Sequence, residues 1–328
     1  MKKLFRYIFP ICIIFLLYGC YTVPVTNRPT LVLAFPGQDE LMGSGKFKTM
    51  LAYDVFGPKT ENKIKNDKVV NICSNLIEVA NVESKIHWNW QIAVVENPEW
   101  NASCLPGGKI LVFTGLLDDC KSDDEIAAVI GHEMAHALAR HKVEEQSLIV
   151  LSDIGKVAAY AIVKPKYAGW IYLGEVIWPF AFQWFNRYQE TEADHIGLIL
   201  MAKAGYNPQN AVNLWKRRPG YGTNLAAGWF IDFLMRSGHP NDTERVARLE
   251  GLMDEANKFY ASAPIKRSHQ ISTPNTSIVQ TTKPSSNISV TVNKTTDISA
   301  NSLKNISESK DNSEDNTEKD NKIESTSD

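Results

Sequence analysis

The chain has no surplus of positive charge: 35 Lys and Arg stand against 37 Asp and Glu among 328 residues, a formal net charge of −2. Without a basic excess there is little to displace counterions from a phosphate backbone, so no nucleic-acid partner is expected. Cysteine is sparse, five in all. Cys73, Cys104 and Cys120 have no zinc-ribbon spacing and allow one disulfide with one free thiol, or none. No clean transmembrane run is present either. The apolar, aromatic stretch 149–185 is interrupted by Asp153, Lys156, Lys164, Lys166 and Glu175 and broken by Pro165 and Pro179, against the roughly 20 apolar residues that a span needs. Residues 263–328 contain no Gly, Trp, Phe, Tyr or Cys. That segment has too little apolar surface to offset the entropy of folding and reads as a disordered tail.

At the other end, Lys2, Lys3 and Arg6 precede an apolar run over 7–18 that is short for a bilayer, the pattern of a secretory signal. Leu17-Tyr18-Gly19-Cys20 resembles the bacterial lipobox. That resemblance makes residues 1–19 a lipoprotein signal peptide and Cys20 the lipidation site. The protein is then held by acyl chains, and Tyr21 after the cysteine points to the periplasmic face of the outer membrane. Residues 20–45, rich in Pro and Thr near their start, read as a tether that lays an extended arm on the domain. The folded unit is expected over 46–262.

Within that unit, 69–82 has helical apolar spacing, and 90–95 and 109–113 read as strands joined by a loop over 96–108. Ser122-Asp123-Asp124-Glu125 matches a capping box and starts a helix with apolar positions at three- and four-residue intervals. Further helices are expected over 190–204, 210–215 and 241–261. Helix outweighs strand, which predicts an α+β domain that is mainly helical.

The chemistry concentrates in His132-Glu133-Met134-Ala135-His136. At 100° per residue the two histidines share one helix face, one turn apart, so two imidazoles converge on one metal ion. Glu133 lies to the flank, where its carboxylate can reach an attacking water without binding the metal. A catalytic zinc takes three protein ligands and keeps a position open, and Glu190-Thr191-Glu192-Ala193-Asp194 supplies the third. Glu190 ligates, and Asp194, one turn on, accepts a hydrogen bond from the distal nitrogen of His132 and fixes its tautomer. Glu192 points elsewhere and reads as a solvated or helix-pairing carboxylate. His141, about 140° round from His136, cannot share the ion and reads as structural; His87 and His195 read as packing or surface residues. Arg187 is a candidate support for the ligand helix or a substrate carbonyl.

These motifs resemble the zinc metalloendopeptidases of the His-Glu-x-x-His…Glu-x-x-x-Asp type, the gluzincins, a family that includes HtpX, the CAAX prenyl endopeptidase, a stress-activated mitochondrial protease and bacterial periplasmic lipoprotein peptidases. Gly131 to His141 and Asn186 to Asp194 carry the resemblance, with Asn186 where serine is usual. So do Asn101-Ala102, Pro106-Gly107-Gly108 and Ile110, His239-Pro240 with Arg245, and Pro24-Val25-Thr26-Asn27-Arg28. The resemblance implies one Zn2+ per chain and a small β-sheet bordering the active-site cleft. It also implies a substrate strand laid along Gly107 and Gly108, and a regulatory or site-lining role for His239 and Arg245. Tyr188, with Arg187 and His239, is a candidate oxyanion donor.

The expected activity is hydrolysis of peptide bonds in misfolded or misassembled envelope proteins, with polypeptides as substrates. The N-terminal lipid would supply a membrane contact, and outer-membrane assembly machinery is a candidate partner. The alternative is a lipid-anchored chaperone or assembly factor with a latent or structural zinc, which would have no use for Glu133.

Overall fold

The computed structural model describes residues 20–34, 37–162, 168–218 and 243–267, with 158–162, 168–184 and 243 described only by the helices they belong to. The expectations for the signal peptide, for His239 and Pro240, and for the tail beyond 267 fall outside these residues.

The arm after residue 20 is a short antiparallel hairpin, β1 (Cys20–Thr22) and β2 (Pro29–Leu31), with Cys20 opposite Leu31. Helix α1 (Gln38–Ala52) follows and runs through the expected boundary at 45, so a tether ending there is corrected to a hairpin and a helix packed on the domain. Buried Lys109 holds α1 in place. Its ammonium donates to Glu40 at 2.6 Å and to Gly107 O at 2.9 Å.

Helix α2 (Lys63–Ser84) is capped by the Asn62 side chain, which accepts from Lys65 N. The sheet comprises β3 (Gln91–Val95), β4 (Ala102–Leu105) and β5 (Lys109–Phe113) in the order β3-β5-β4, parallel between β3 and β5 and antiparallel between β4 and β5. The expected loop 96–108 therefore contains a strand. Its Ala-Ser-Cys-Leu run is short and carries no polar alternation to announce it. Both sheet faces are buried. Ile92, Val94, Ile110 and Val112 face the main core, while Ala93, Val95, Leu111 and Phe113 pack on Phe47 of α1. A sheet covered on both faces reads in sequence as continuous apolar runs.

Five further elements complete the path up to the long helices' partners: α3 (Thr114–Asp119), α4 (Asp123–Leu138), α5 (His141–Ile162), α6 (Ala168–Lys203) and α7 (Gln209–Arg217). The expected 241–261 helix is two, α8 (Thr243–Gly251) and α9 (Met253–Ser262), separated at Leu252. Arg267 N donates to Gly205 O at 2.7 Å, so the packed chain reaches past residue 262. Among the described residues no helix is long and apolar enough to cross a membrane. The domain is α+β and mainly helical, as expected.

Helix α4 is the spine. Ser122 accepts from Glu125 N at its start, and Asp123, Asp124 and Glu125 favour the positive end of the helix. Glu125 does not close the capping box on Ser122; its carboxylate takes Lys121 N at 2.6 Å and both Arg217 amino groups. Ile126, Ile130 and Met134 are fully buried, each worth about 1.5–3 kcal/mol relative to exposure. Gly131 and Gly197 let α4 and α6 touch backbone to backbone. A Cβ on Gly197 would stand 2.8 Å from His132 N, and this close crossing brings the acidic stretch of α6 against the histidines of α4.

Candidate metal centre and active site

His132 Nε2 and His136 Nε2 lie 3.2 Å apart, and each is 3.3 Å from a different oxygen of Glu190. Donor atoms about 3.3–3.4 Å from one another are what tetrahedral zinc requires when its bonds are about 2.0–2.1 Å. His132, His136 and Glu190 lie close enough together that they could hold a metal ion, and their number, donor type and spacing fit zinc. His132 is buried, whereas His136 and Glu190 are partly exposed, so solvent reaches the cluster from their side.

Burial, the largest influence, and the Arg245 charge lower the His132 pKa; hydrogen bonds to Asp194 and Glu190 outweigh them and push it up to about 9. Glu133 is buried. The Cys104 thiol of β4 is pushed well above its ordinary range, first by burial and next by the Glu133 charge.

Asp194 takes the expected place behind His132, with Oδ1 at 3.0 Å from Nδ1. The same oxygen accepts from Arg245 Nη2 at 2.6 Å. Arg245 is 1% exposed and stacks on Trp215 with its guanidinium carbon 3.6 Å from the ring centroid. Burial raises the Asp194 pKa, but Arg245 and His132 outweigh it and hold the carboxyl below its ordinary range. Arg245 also lies against the His132 ring, its Nη2 3.0 Å from Nδ1 and 3.4 Å from Nε2.

Other expectations are corrected. Glu192 is not solvated. It is 5% exposed and accepts from Thr26 at 2.6 Å, from Arg28 at 2.7 Å and from His141 at 3.0 Å. Burial raises its pKa, yet the bonds from His141, Arg28 and Thr26 hold it at about 2. His141 in turn meets the ligand His136, Nδ1 to Nδ1, at 2.8 Å. Contacts between residues 28, 141 and 192 are invisible to local periodicity; the one available signal was that Arg28 belongs to a motif carrying the family resemblance.

Gly107 and Gly108, both at φ +75°, form the β4–β5 turn. A Cβ there would meet the Glu40 backbone or the Trp90 ring at 2.6–2.7 Å, so these glycines admit α1 and Trp90; β4 and β3 are the two edge strands of the sheet. Arg187 is exposed. Tyr188 is 42% exposed and lies under the Arg28 guanidinium, 5.4 Å from ring centroid to its carbon. His195 pairs with Glu255 at 2.9 Å and His87 is exposed, both away from the cluster. Cys73, Cys104 and Cys120 are unpaired buried thiols, which removes the disulfide option.

Fold and site together define a zinc metalloendopeptidase. Residues 63–253 match peptidase family M48, and the chain belongs to that family. It is similar to the mitochondrial metalloendopeptidase OMA1 of Saccharomyces cerevisiae, 27% identical over 270 residues, which cover 79% of this chain and 76% of the yeast protein. The OMA1 protein of Arabidopsis thaliana is 38% identical over 174 residues, 52% of this chain and 34% of that one. A beta-barrel assembly-enhancing protease of Yersinia pestis is 27% identical over 156 residues, 45% of this chain and 32% of that one. The chain thus spans most of the yeast relative but about a third of the other two. Its substrates are polypeptides, as for peptidases generally.

The expected placement at the periplasmic face of the outer membrane is overturned by these comparisons. The relatives that match over most of this chain are mitochondrial by name. Cys20 itself is an exposed residue that opens β1.

Proposed function

We propose that the chain cleaves internal peptide bonds of misfolded or misassembled polypeptides, with His132, His136 and Glu190 as zinc ligands and Glu133 as general base and acid. The observation that carries this reading is the 3.2–3.3 Å triangle of Nε2, Nε2 and carboxylate oxygens with Glu133 on the adjoining helix position. Zinc, when bound, supplies Lewis acidity, polarising the scissile carbonyl and making water a nucleophile near neutral pH. Glu133 takes the proton of the attacking water and passes it to the leaving amine nitrogen, a role worth about 10²–10⁴-fold in rate. Asp194 keeps the His132 hydrogen on Nδ1, so that Nε2 presents its lone pair to the ion.

The substrate is read as an extra strand on β4. Among the described residues β4 pairs with β5 alone, and it packs against α4, the helix that carries Glu133. Recognition through backbone hydrogen bonds at a sheet edge is tolerant of side-chain identity, which suits an enzyme that meets many unfolded chains. An association with β-barrel assembly rests on the name of the Yersinia pestis relative.

The test compares the full chain with its Glu133→Gln variant by zinc content and casein cleavage. Retained zinc with cleavage reduced at least about 100-fold supports the reading. Unaltered cleavage by the variant overturns it.

A further inference from the structure

The two histidine ligands are braced differently. His132 rests directly on a carboxylate, Asp194. His136 reaches one only through a second imidazole: His136 Nδ1 to His141 Nδ1 at 2.8 Å, then His141 Nε2 to Glu192 Oε2 at 3.0 Å. The hydrogens in this chain have one consistent arrangement. If His136 Nε2 presents its lone pair to zinc, Nδ1 carries the hydrogen and needs an acceptor. His141 Nδ1 accepts only in the tautomer with hydrogen on Nε2, and the Glu192 carboxylate selects that tautomer by accepting it.

Glu192 is itself fixed from outside the helical core. The Arg28 guanidinium forks across two buried carboxylates, donating to Glu192 from Nε at 2.9 Å and Nη2 at 2.7 Å, and to Glu144 from Nη1 at 2.7 Å and Nη2 at 3.0 Å. Thr26 donates to Glu192 at 2.6 Å, and Thr30 donates to Glu144. All three belong to the β1–β2 hairpin or its turn. The hairpin is anchored separately by Tyr21, whose hydroxyl donates to Leu138 O at 2.7 Å.

We infer that Arg28, Glu192 and His141 are positioning residues that hold the zinc ligand His136, so that tight zinc binding depends on the bond that Arg28 of the N-terminal hairpin makes to Glu192. The inference rests on the zinc site proposed above and deepens it. An arm outside the matched family region 63–253 thereby becomes part of the metal site's support. Lysine in place of Arg28 would keep the charge but could not bridge two carboxylates in this forked geometry.

The test uses the full chain, measuring zinc affinity by competition with a chromogenic chelator and the d–d absorption of the cobalt-substituted protein. His141→Leu removes the acceptor for His136 Nδ1, whereas His141→Gln retains an amide oxygen that can accept. The expected order of zinc affinity is wild type, then Gln, then Leu, with Leu lowered about 10–100-fold, the range for outer partners of metal ligands. Arg28→Lys, a milder change that keeps the fold accessible should His141→Leu misfold, is expected to lower affinity several-fold and shift the cobalt spectrum. Tyr21→Phe loosens the same hairpin without touching the relay and is expected to lower the melting temperature with zinc affinity unchanged.

Folded His141→Leu or Arg28→Lys proteins with wild-type affinity and spectrum would overturn the inference while leaving the zinc site standing. Equal losses of affinity in Tyr21→Phe and Arg28→Lys would overturn it too, because the effect would then follow hairpin stability alone. A wild-type chain that binds no zinc would overturn both readings.

Discussion

Arg245 Nη2 lies 2.6 Å from Asp194 Oδ1, the oxygen that also faces His132 Nδ1 at 3.0 Å. One carboxylate oxygen thus joins a zinc-ligand candidate on α4 to an arginine on α8, with the carboxylate held on α6 between them. On the other side, Glu192 of the same helix joins His141 to Arg28 of the N-terminal hairpin. Three alternate positions of α6 each meet a histidine of this region: Glu190 meets His132 and His136, Asp194 meets His132, and Glu192 meets His141.

Removing the Asp194 carboxylate leaves His132 without its tautomer-fixing acceptor and Arg245 buried beside no counter-charge at that oxygen. Asp194→Ala is expected to lower zinc affinity about 10–100-fold and to destabilise the fold by about 3–5 kcal/mol, as loss of one partner from a buried pair does. Chelator competition and urea unfolding measure the two effects separately; an unchanged zinc affinity would refute the role given to Asp194.

Acid should act on the Arg28 network in a defined window. Glu192 is held at about 2 and Glu144 below its ordinary value, so both are depressed in the folded protein relative to about 4.5 in the unfolded chain. The stability they contribute is fully present above pH 4.5 and is lost as pH falls towards 2. Wild type should therefore lose stability across that window more steeply than Glu192→Gln, whose stability is already lower at neutral pH. Parallel profiles from urea melts at pH 2.5–7 would contradict the assignment.

At the α4–α6 crossing, Gly197→Ala places a methyl 2.8–2.9 Å from His132 N and Cα. These are backbone atoms that cannot swing aside. Separation of the helices is expected to cost about 1–3 kcal/mol, as overpacking does, and to weaken zinc binding by moving Glu190 from the histidines. A folded variant with wild-type melting temperature and zinc content would show that the crossing tolerates the methyl group.

Much of the centre was legible because it is local. His132, Glu133 and His136 lie within about one turn of helix, and Glu190 and Asp194 repeat that spacing, so helical geometry alone put each pair on one face. Arg245 was reached through its motif, but its place behind Asp194 required the fold. Glu192 was misread for a physical reason. The helical-wheel argument assumed a solvent-facing side on α6, whereas Glu192, Ala193 and Asp194 are all buried, because α4 covers one side and the hairpin with α5 covers another. Strand β4 was taken for loop because its run is only four residues long, and the first half of α1 was taken for tether because it continues a segment that is rich in Pro and Thr near its start.

The central claim is that one zinc is held by two imidazoles and one carboxylate, with no thiolate. X-ray absorption at the zinc edge of the full-length protein tests it directly. The account predicts one zinc per chain with only nitrogen and oxygen neighbours at about 2.0–2.2 Å, lost in Glu190→Ala. Sulfur scattering at about 2.3 Å, or full zinc retention without Glu190, would contradict it.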